Sequence, residues 1–348
     1  MKSYRRYVDI SVLGSLMTMF SILSSYSAAA NESLAERWTD AVRTRRWVTA
    51  FVSSPPDKIA VDRIRVKIGD EERIVYRAQP GDVELGRPIL SPDGAKLAFL
   101  KTEEVDVRRF IFVYKLYAVD VDGRNLTMLL ELGTTGFAMR GVVTPTSVAW
   151  SHDNRKLVVK KHGRAEQSPS PAPGVKSVTK LLLLDIPTGR VEELLTQTPR
   201  IHITPQSWAP DGRRLVYKSD DDHARILDIL SREEIDLGPG LDPTWSPDGR
   251  FIAARLPGVK GKERNGDYEL ISTEPPYGRT TLMSNSRTLF ALRGIGYAEP
   301  AMWSPDSRFL IMWYYPGEQG YPYVVERATG EIAKLPLGSV GESIGGRP

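Results

Sequence analysis

The chain has 348 residues, 41% hydrophobic and 26% charged, which is ordinary for a globular protein and excludes wholesale disorder. Its 29 glycines and 25 prolines favour a turn-rich all-β fold over a helical bundle. The absence of cysteine excludes disulfides, thiol nucleophiles, thiolate metal sites and lipid attachment through an N-terminal cysteine. The net charge of +4 comes without a dense basic run, so no nucleic-acid partner is expected.

Lys2, Arg5 and Arg6 form a positive N-terminal region, followed by the apolar run Ile10–Leu23 and the small-residue tract 24–30 (SSYSAAA). This order is that of a secretory signal. An apolar run of about 14 residues falls short of the roughly 20 that span a bilayer. Residues 1–30 are therefore expected to be a signal peptide, cut after Ala30 or one residue earlier. An uncleaved anchor is the alternative. The mature chain is expected in the periplasm or secreted, with no membrane span after cleavage.

Residues 31–57 are expected to hold a helix and a linker. Ser33-Leu34-Ala35-Glu36 matches a capping box, in which the serine and glutamate satisfy free backbone N–H groups. Leu34, Trp38 and Val42 are four apart and share one face of a helix over 33–50. The helix either packs on the side of the main domain, with Arg43, Arg45 and Arg46 in water, or serves a partner; the first is favoured.

One short pattern recurs five times: Leu90-Ser91-Pro92-Asp93-Gly94, Trp150-Ser151-His152-Asp153-Asn154, Trp208-Ala209-Pro210-Asp211-Gly212, Trp245-Ser246-Pro247-Asp248-Gly249 and Trp303-Ser304-Pro305-Asp306-Ser307. Four of the seven tryptophans open a copy. Each copy leads into an apolar strand: Lys96–Leu100, Lys156–Val159, Arg214–Tyr217, Phe251–Ala254 and Phe309–Trp313. A second strand, a turn and a last strand follow, the last being Leu126–Leu130, Val191–Leu195, Glu234–Leu237, Thr280–Met283 and Ile332–Leu335. Four strands per repeat make the blade of a β-propeller.

The motif has a local physical basis. Proline presets the φ of a type I turn, aspartate bonds nearby N–H groups, and glycine or asparagine takes the left-handed closing position. The motif aspartates are thus turn residues and not catalytic acids. The tryptophan offers an apolar body to pack against the next blade.

Five such copies resemble the TolB-type β-propeller repeat, a W-S-P-D-G variant of the WD-like blade, over about residues 58–337. The resemblance implies an all-β propeller, and it extends to TolB-like periplasmic proteins, to the propeller half of prolyl-oligopeptidase-family peptidases and to some sugar-processing proteins. TolB carries an α/β domain before its propeller, where this chain has one helix and a linker. A sixth, degenerate unit is expected from the hairpin of Ile59–Lys67 and Arg73–Arg77. Only a short tail, 338–348, is left to complete it. Six blades with irregular closure are expected, with five plus a flanking hairpin as the fallback and the tail flexible. The Ser/Pro-rich segment 163–175 is expected to be a mobile loop.

An X-Pro pair precedes each motif: Arg87-Pro88, Thr144-Pro145, Thr204-Pro205, Asp242-Pro243 and Glu299-Pro300. Proline suits a strand start, so Arg87, Thr144, Thr204, Asp242 and Glu299 would ring one mouth of the channel, with Arg140, Arg200 and His202 on loops of the same class. This ring either grips a peptide, a chain end or a sugar, or is ordinary solvated loop. Of the other histidines, His152 replaces a motif proline, and His162 and His223 lack metal-ligand spacing. No catalytic residue, metal or cofactor is assigned. Gly341-Glu342-Ser343-Ile344-Gly345 matches G-x-S-x-G but lacks the later aspartate and histidine of a hydrolase triad, and reads as chance.

The expected function is a non-enzymatic module that binds a protein or peptide, envelope-associated partners included. The alternative is a propeller-only relative or split subunit of a prolyl-oligopeptidase-family peptidase without its own hydrolase domain. A weaker third reading is glycan binding, from the cluster Trp313, Tyr314, Tyr315, Tyr321 and Tyr323.

Overall fold

The computed structural model describes residues 34–53, 62–106, 108–109, 111–135, 148–164, 177–197, 201–257, 267–283, 297–298, 301–315, 321–337, 340 and 343–346. The expected signal peptide 1–30, Ser33 of the capping box and residues 165–176, which include most of the Ser/Pro-rich segment, lie outside them.

Six antiparallel sheets form six blades. Blade 1 joins Val48–Ser53, Arg63–Ile68 and Glu71–Arg77 to Ser343–Gly345 from the far end of the chain. Blade 2 has the divided inner strand Asp82–Leu85 and Ile89–Leu90, then Lys96–Asp106, Ile111–Asp120 and Thr127–Thr135. Blade 3 runs Val148–Trp150, Lys156–Arg164, Ser177–Asp185 and Val191–Gln197. In blade 4, isolated bridges at His202 and Trp208 mark the inner edge beside Arg214–Lys218, His223–Asp228 and Glu234–Pro239. Blade 5 is Leu241–Trp245, Phe251–Arg255, Tyr268–Ser272 and Arg279–Met283. Blade 6 begins with Tyr297–Ala298 and Met302–Trp303 and continues through Phe309–Tyr315, Tyr321–Glu326 and Ile332–Lys334.

Two expectations are corrected. The helix covers 34–44 only. Arg46 has a φ of 52°, which ends the helix, and Val48–Ser53 is a strand, as its β-branched and aromatic residues prefer. The tail does not hang free: Ser343–Gly345 pairs with Val48–Ala50 as the inner strand of blade 1. The Leu90 N–H donates to Ser343 Oγ at 3.1 Å, and the Gly346 N–H donates to the Pro92 carbonyl at 2.9 Å. Ser343 is thus a buried strand residue, not a nucleophile at a strand-to-helix elbow. The propeller closes by joining the two ends of the chain.

The core is divided among the blade junctions. Trp150 and Val148 pack with Ala98 and Leu116 of blade 2, Trp208 with Ala149 and Val158 of blade 3, and Trp303 with Ala253 and Leu270 of blade 5. Each tryptophan therefore faces the preceding blade, not the following one. Indole N–H groups make the link polar as well: Trp150 donates to the Ile89 carbonyl at 3.0 Å, Trp208 to Ala149 at 3.0 Å and Trp303 to Thr244 at 3.2 Å. Trp245 instead bonds Gly249 of its own turn, at 3.4 Å. The helix covers blade 6 beside blade 1: Leu34, Trp38 and Trp47 join Phe309, Val324 and Ile344 in one cluster. Arg37 pairs with Glu326 at 3.1 Å and Glu331 at 2.5 Å.

The motif turns behave as their chemistry predicts, with one addition. Gly94, Asn154, Gly212, Gly249 and Ser307 all take positive φ. The motif serines Ser91, Ser151, Ser246 and Ser304 each donate to the motif aspartate at 2.6 Å. Each of these hydroxyls also accepts the N–H five residues on, at 2.9–3.0 Å. The serine thus locks the turn to the strand it opens.

Candidate functional site

The inner strands line a channel with two mouths. At the mouth beside the motif turns lies a cavity of about 110 Å³, lined by Pro92, His152, Pro247 and Pro305 from the turns and by Trp150, Trp208 and Trp245. His152 is exposed, yet the protein mass around it disfavours the imidazolium and lowers its pKa. Gln206 also lines this cavity and ties the channel together. Its Nε2 donates to the Trp303 carbonyl at 2.9 Å, and its Oε1 accepts the Trp303 N–H at 2.6 Å.

At the other end of the inner strands of blades 4 and 5, His202 and Asp242 form a polar cluster. His202 and Lys218 face each other across the inner edge of blade 4, bonded through both backbone pairs at 2.8 and 2.9 Å. His202 Nδ1 lies 3.2 Å from Asp242 Oδ1 of blade 5, at an angle that leaves Nδ1 without a hydrogen bond. Arg255 Nη2 holds the other oxygen of Asp242 at 3.1 Å. Burial, joined by the charges of Lys160 and Lys218 and opposed by Asp242, lowers the pKa of His202 to about 4. The ring is therefore neutral at pH 7. Burial likewise raises the pKa of Tyr268, which lies against Arg255 and Asp242.

Of the sequence-derived candidates, His202 and Asp242 are brought together. Arg87 is exposed. Thr204 is only 1% exposed, and its hydroxyl donates to the Pro243 carbonyl at 3.1 Å; it holds the junction of blades 4 and 5 and does not face the solvent. Thr144, Glu299, Arg140 and Arg200 lie outside the described residues. Lys160, Lys218 and Arg255 were missed, though a signal existed. All three stand nine residues after the second motif position; Lys218 and Arg255 end their strands, and Lys160 lies in the middle of Lys156–Arg164. That position is Leu100 in blade 2 and Trp313 in blade 6, so blades 3, 4 and 5 are the basic ones.

Two other clusters are structural. Lys101, 8% exposed, lies 3.0 Å from Asp82 and 2.8 Å from Glu103 and over the Tyr117 ring at 4.6 Å. Although burial opposes it, bonding to Lys101, Lys115 and Tyr117 lowers the pKa of Glu103 to about 2. Burial and the Asp82 carboxylate push Tyr76 up to about 12. Asp221, His223 and Asp236 come together at the surface of blade 4, but Arg225 already lies 2.6 Å from Asp221, meeting that negative charge. In the aromatic group of blade 6, Tyr323 is buried and Tyr321 packs beside it, while Trp313 packs under the helix. The side chains of Tyr314 and Tyr315 lie outside the description.

No family model matches the chain. Among solved structures it is similar to TolB from Acinetobacter baumannii, with 15% identity and a TM-score of 0.56 over 86% of this chain and 65% of that one. The fold is that of the TolB-like six-blade propeller. This TolB-like propeller is also similar to an oligogalacturonate lyase in complex with manganese, at 15% identity and a TM-score of 0.54 over 82% of this chain and 74% of that one. It is similar to an acylaminoacyl peptidase at 13% identity and a TM-score of 0.53, over 86% of this chain and 47% of that one. The chain therefore spans less than two thirds of the TolB structure and about half of the peptidase. Among the described residues, no helix is long and apolar enough to cross a membrane.

Proposed function

We propose that this TolB-like propeller is exported to the periplasm or secreted, and that it binds a protein or peptide at the X-Pro mouth without catalysing a reaction. The observation that carries the reading is the convergence of His202, Asp242 and Arg255, with Lys218 bridged to His202, at the edge of blades 4 and 5. Donors and acceptors of both signs, fixed in place by blade packing, suit the alternating N–H and C=O groups of a peptide. Rigid scaffolds that hold polar groups at one end commonly acquire binding roles in this way. The similarity to TolB and the basic, apolar and small-residue order of residues 1–30 support export.

The test is a crosslinking pull-down from a periplasmic extract, with a form carrying Arg87→Ala, Asp242→Ala and Glu299→Ala as control. A specific protein captured by the parent and lost with the control is expected. Capture of the same proteins by both forms overturns the placement of the site. A second reading, a propeller subunit working beside a separate hydrolase, is favoured by the match to half of the peptidase chain; recovery of a hydrolase would establish it. Export is checked by N-terminal sequencing of the mature protein from fractionated cells, which is expected to begin at Asn31 or Ala30.

A further inference from the structure

The cavity beside the motif turns draws its lining from all six blades. Among the described residues that line it, none is acidic or basic apart from His152. Three tryptophans and four prolines give it flat, apolar walls. A charged ligand would lose its hydration there with nothing to replace it. An apolar cavity of about 150 Å³ holds one benzene ring; at about 110 Å³ this one admits a single ring.

The polar side chains of the lining are engaged, with one exception. The indole N–H groups of Trp150, Trp208 and Trp245 donate to backbone carbonyls. Gln206 Oε1 accepts the Trp303 N–H at 2.6 Å and the Thr244 hydroxyl at 3.3 Å, which takes both of its lone pairs. Ser343 Oγ accepts the Leu90 N–H. The exception is His152: among the described residues no hydrogen bond or ion pair engages its ring. It is both exposed and part of the lining, so the cavity meets solvent on its side. It also stands where the four other motif copies carry proline, and Pro92, Pro247 and Pro305 line the same cavity. The turn itself therefore does not call for a histidine. A neutral imidazole has one acceptor nitrogen and one N–H.

We propose that this cavity binds a small neutral phenol, with its ring among the tryptophans and its hydroxyl on the His152 imidazole. A planar ring suits the indole faces, and one hydroxyl suits one free acceptor. The place of His152 on the solvent side sets the orientation: the hydroxyl faces out and the ring points inward. A tyrosine side chain of a partner would enter hydroxyl first and bury it among apolar atoms, away from His152. The occupant is thus a free small molecule and not a protein side chain. This site is separate from the one at His202 and Asp242 and does not depend on it.

The experiment titrates the full chain with 4-methylphenol and with toluene, the same ring without the hydroxyl. Binding is read by calorimetry and by tryptophan emission. 4-Methylphenol is expected to bind about tenfold more tightly than toluene, the worth of one hydrogen bond. His152→Pro installs the residue of the other copies, so the turn is kept. It is expected to bring 4-methylphenol down to the toluene affinity and to leave toluene unchanged, at the parental melting temperature. His152→Phe, which keeps a ring and lacks the acceptor, is expected to do the same. Equal affinities of the two rings for the parent, or binding of neither, overturn the proposal. A preference for 4-methylphenol that survives both His152 substitutions also overturns it. So does tighter binding of N-acetyl-tyrosinamide than of 4-methylphenol, in favour of a protein side chain.

Discussion

Gln206 of blade 4 reaches the inner strand of blade 6 and meets both backbone groups of Trp303, donating at 2.9 Å and accepting at 2.6 Å. Its own carbonyl accepts the Trp245 N–H at 2.7 Å. One residue therefore links three blades. A short inner strand such as Met302–Trp303 leaves polar groups facing the channel, and the amide of Gln206 supplies the missing pair. Gln206→Leu keeps the volume and removes both bonds to Trp303, together with the one its Oε1 accepts from Thr244 Oγ1 at 3.3 Å. It is expected to cost about 2–4 kcal/mol, from two buried groups left unpaired. Urea unfolding should show a lower midpoint at an unchanged slope. A midpoint equal to the parent's would show that water replaces the amide at no cost.

The closing strand allows little space. A Cβ on Gly345 would lie 2.5 Å from the Ser91 carbonyl oxygen. Gly345→Ala must displace backbone on one side of the joint, at an expected cost of about 1–3 kcal/mol. Gly278→Ala is the control, since nothing lies within 4 Å of its Cβ position. Thermal unfolding should separate the two variants by several degrees, and equal melting temperatures would refute closure through Gly345.

Lys101 neutralises two carboxylates in the core of the blade 1–2 junction. Lys101→Met retains its length and leaves Asp82 and Glu103 facing each other without it. Breaking a buried pair from one side costs about 3–5 kcal/mol. Because Glu103 titrates at about 2 in the parent against 4.5 for a free carboxyl, its stabilisation is present above pH 4.5 and fades toward pH 2. The deficit of the variant, followed by denaturant unfolding, should therefore shrink on acidification. A constant deficit would mean that Lys101 acts by packing alone.

His202 has the opposite linkage to most partnered histidines. Its folded pKa is about 4 against 6.5 when free. Between those values the unfolded chain binds a proton that the folded chain refuses, so stability falls as pH drops from 6.5 to 4. The groups acting on the ring are Lys160, Lys218 and Asp242, with Arg255 bound to the last. His202→Gln cannot titrate, and its unfolding free energy should fall less across this window than the parent's. Identical pH slopes would show that burial of His202 does not govern acid sensitivity.

Much of this architecture was legible along the chain because it is local. A Pro-Asp-Gly turn after tryptophan depends on φ preferences and on hydrogen bonds spanning five residues, so the five motif turns and the strands behind them could be read one at a time. The serine–aspartate bond is equally local, but both residues are common in any turn and so give no distinct signal of it. The candidate mouth was legible only in part. X-Pro spacing pointed to Asp242, and the loop before Thr204-Pro205 to His202, yet the same spacing pointed to Thr204, which the neighbouring blade buries. The basic position shared by Lys160, Lys218 and Arg255 recurs at a fixed offset from the motif, and would have emerged from aligning the repeats with one another.

The sequence by itself determined the blades, since each is a run of neighbouring antiparallel strands whose pairing needs only short turns. The tertiary structure alone decided how the ring closes, which way the tryptophans face and which charges meet. Those outcomes join residues far apart in the chain, such as Val48 with Gly345, Gln206 with Trp303 and His202 with Asp242. Nothing in the local sequence of Ser343–Gly345 makes it a strand. It becomes one because the open edge of Val48–Ser53 presents unpaired backbone groups, and the closed ring brings the tail to the one place where both can be satisfied.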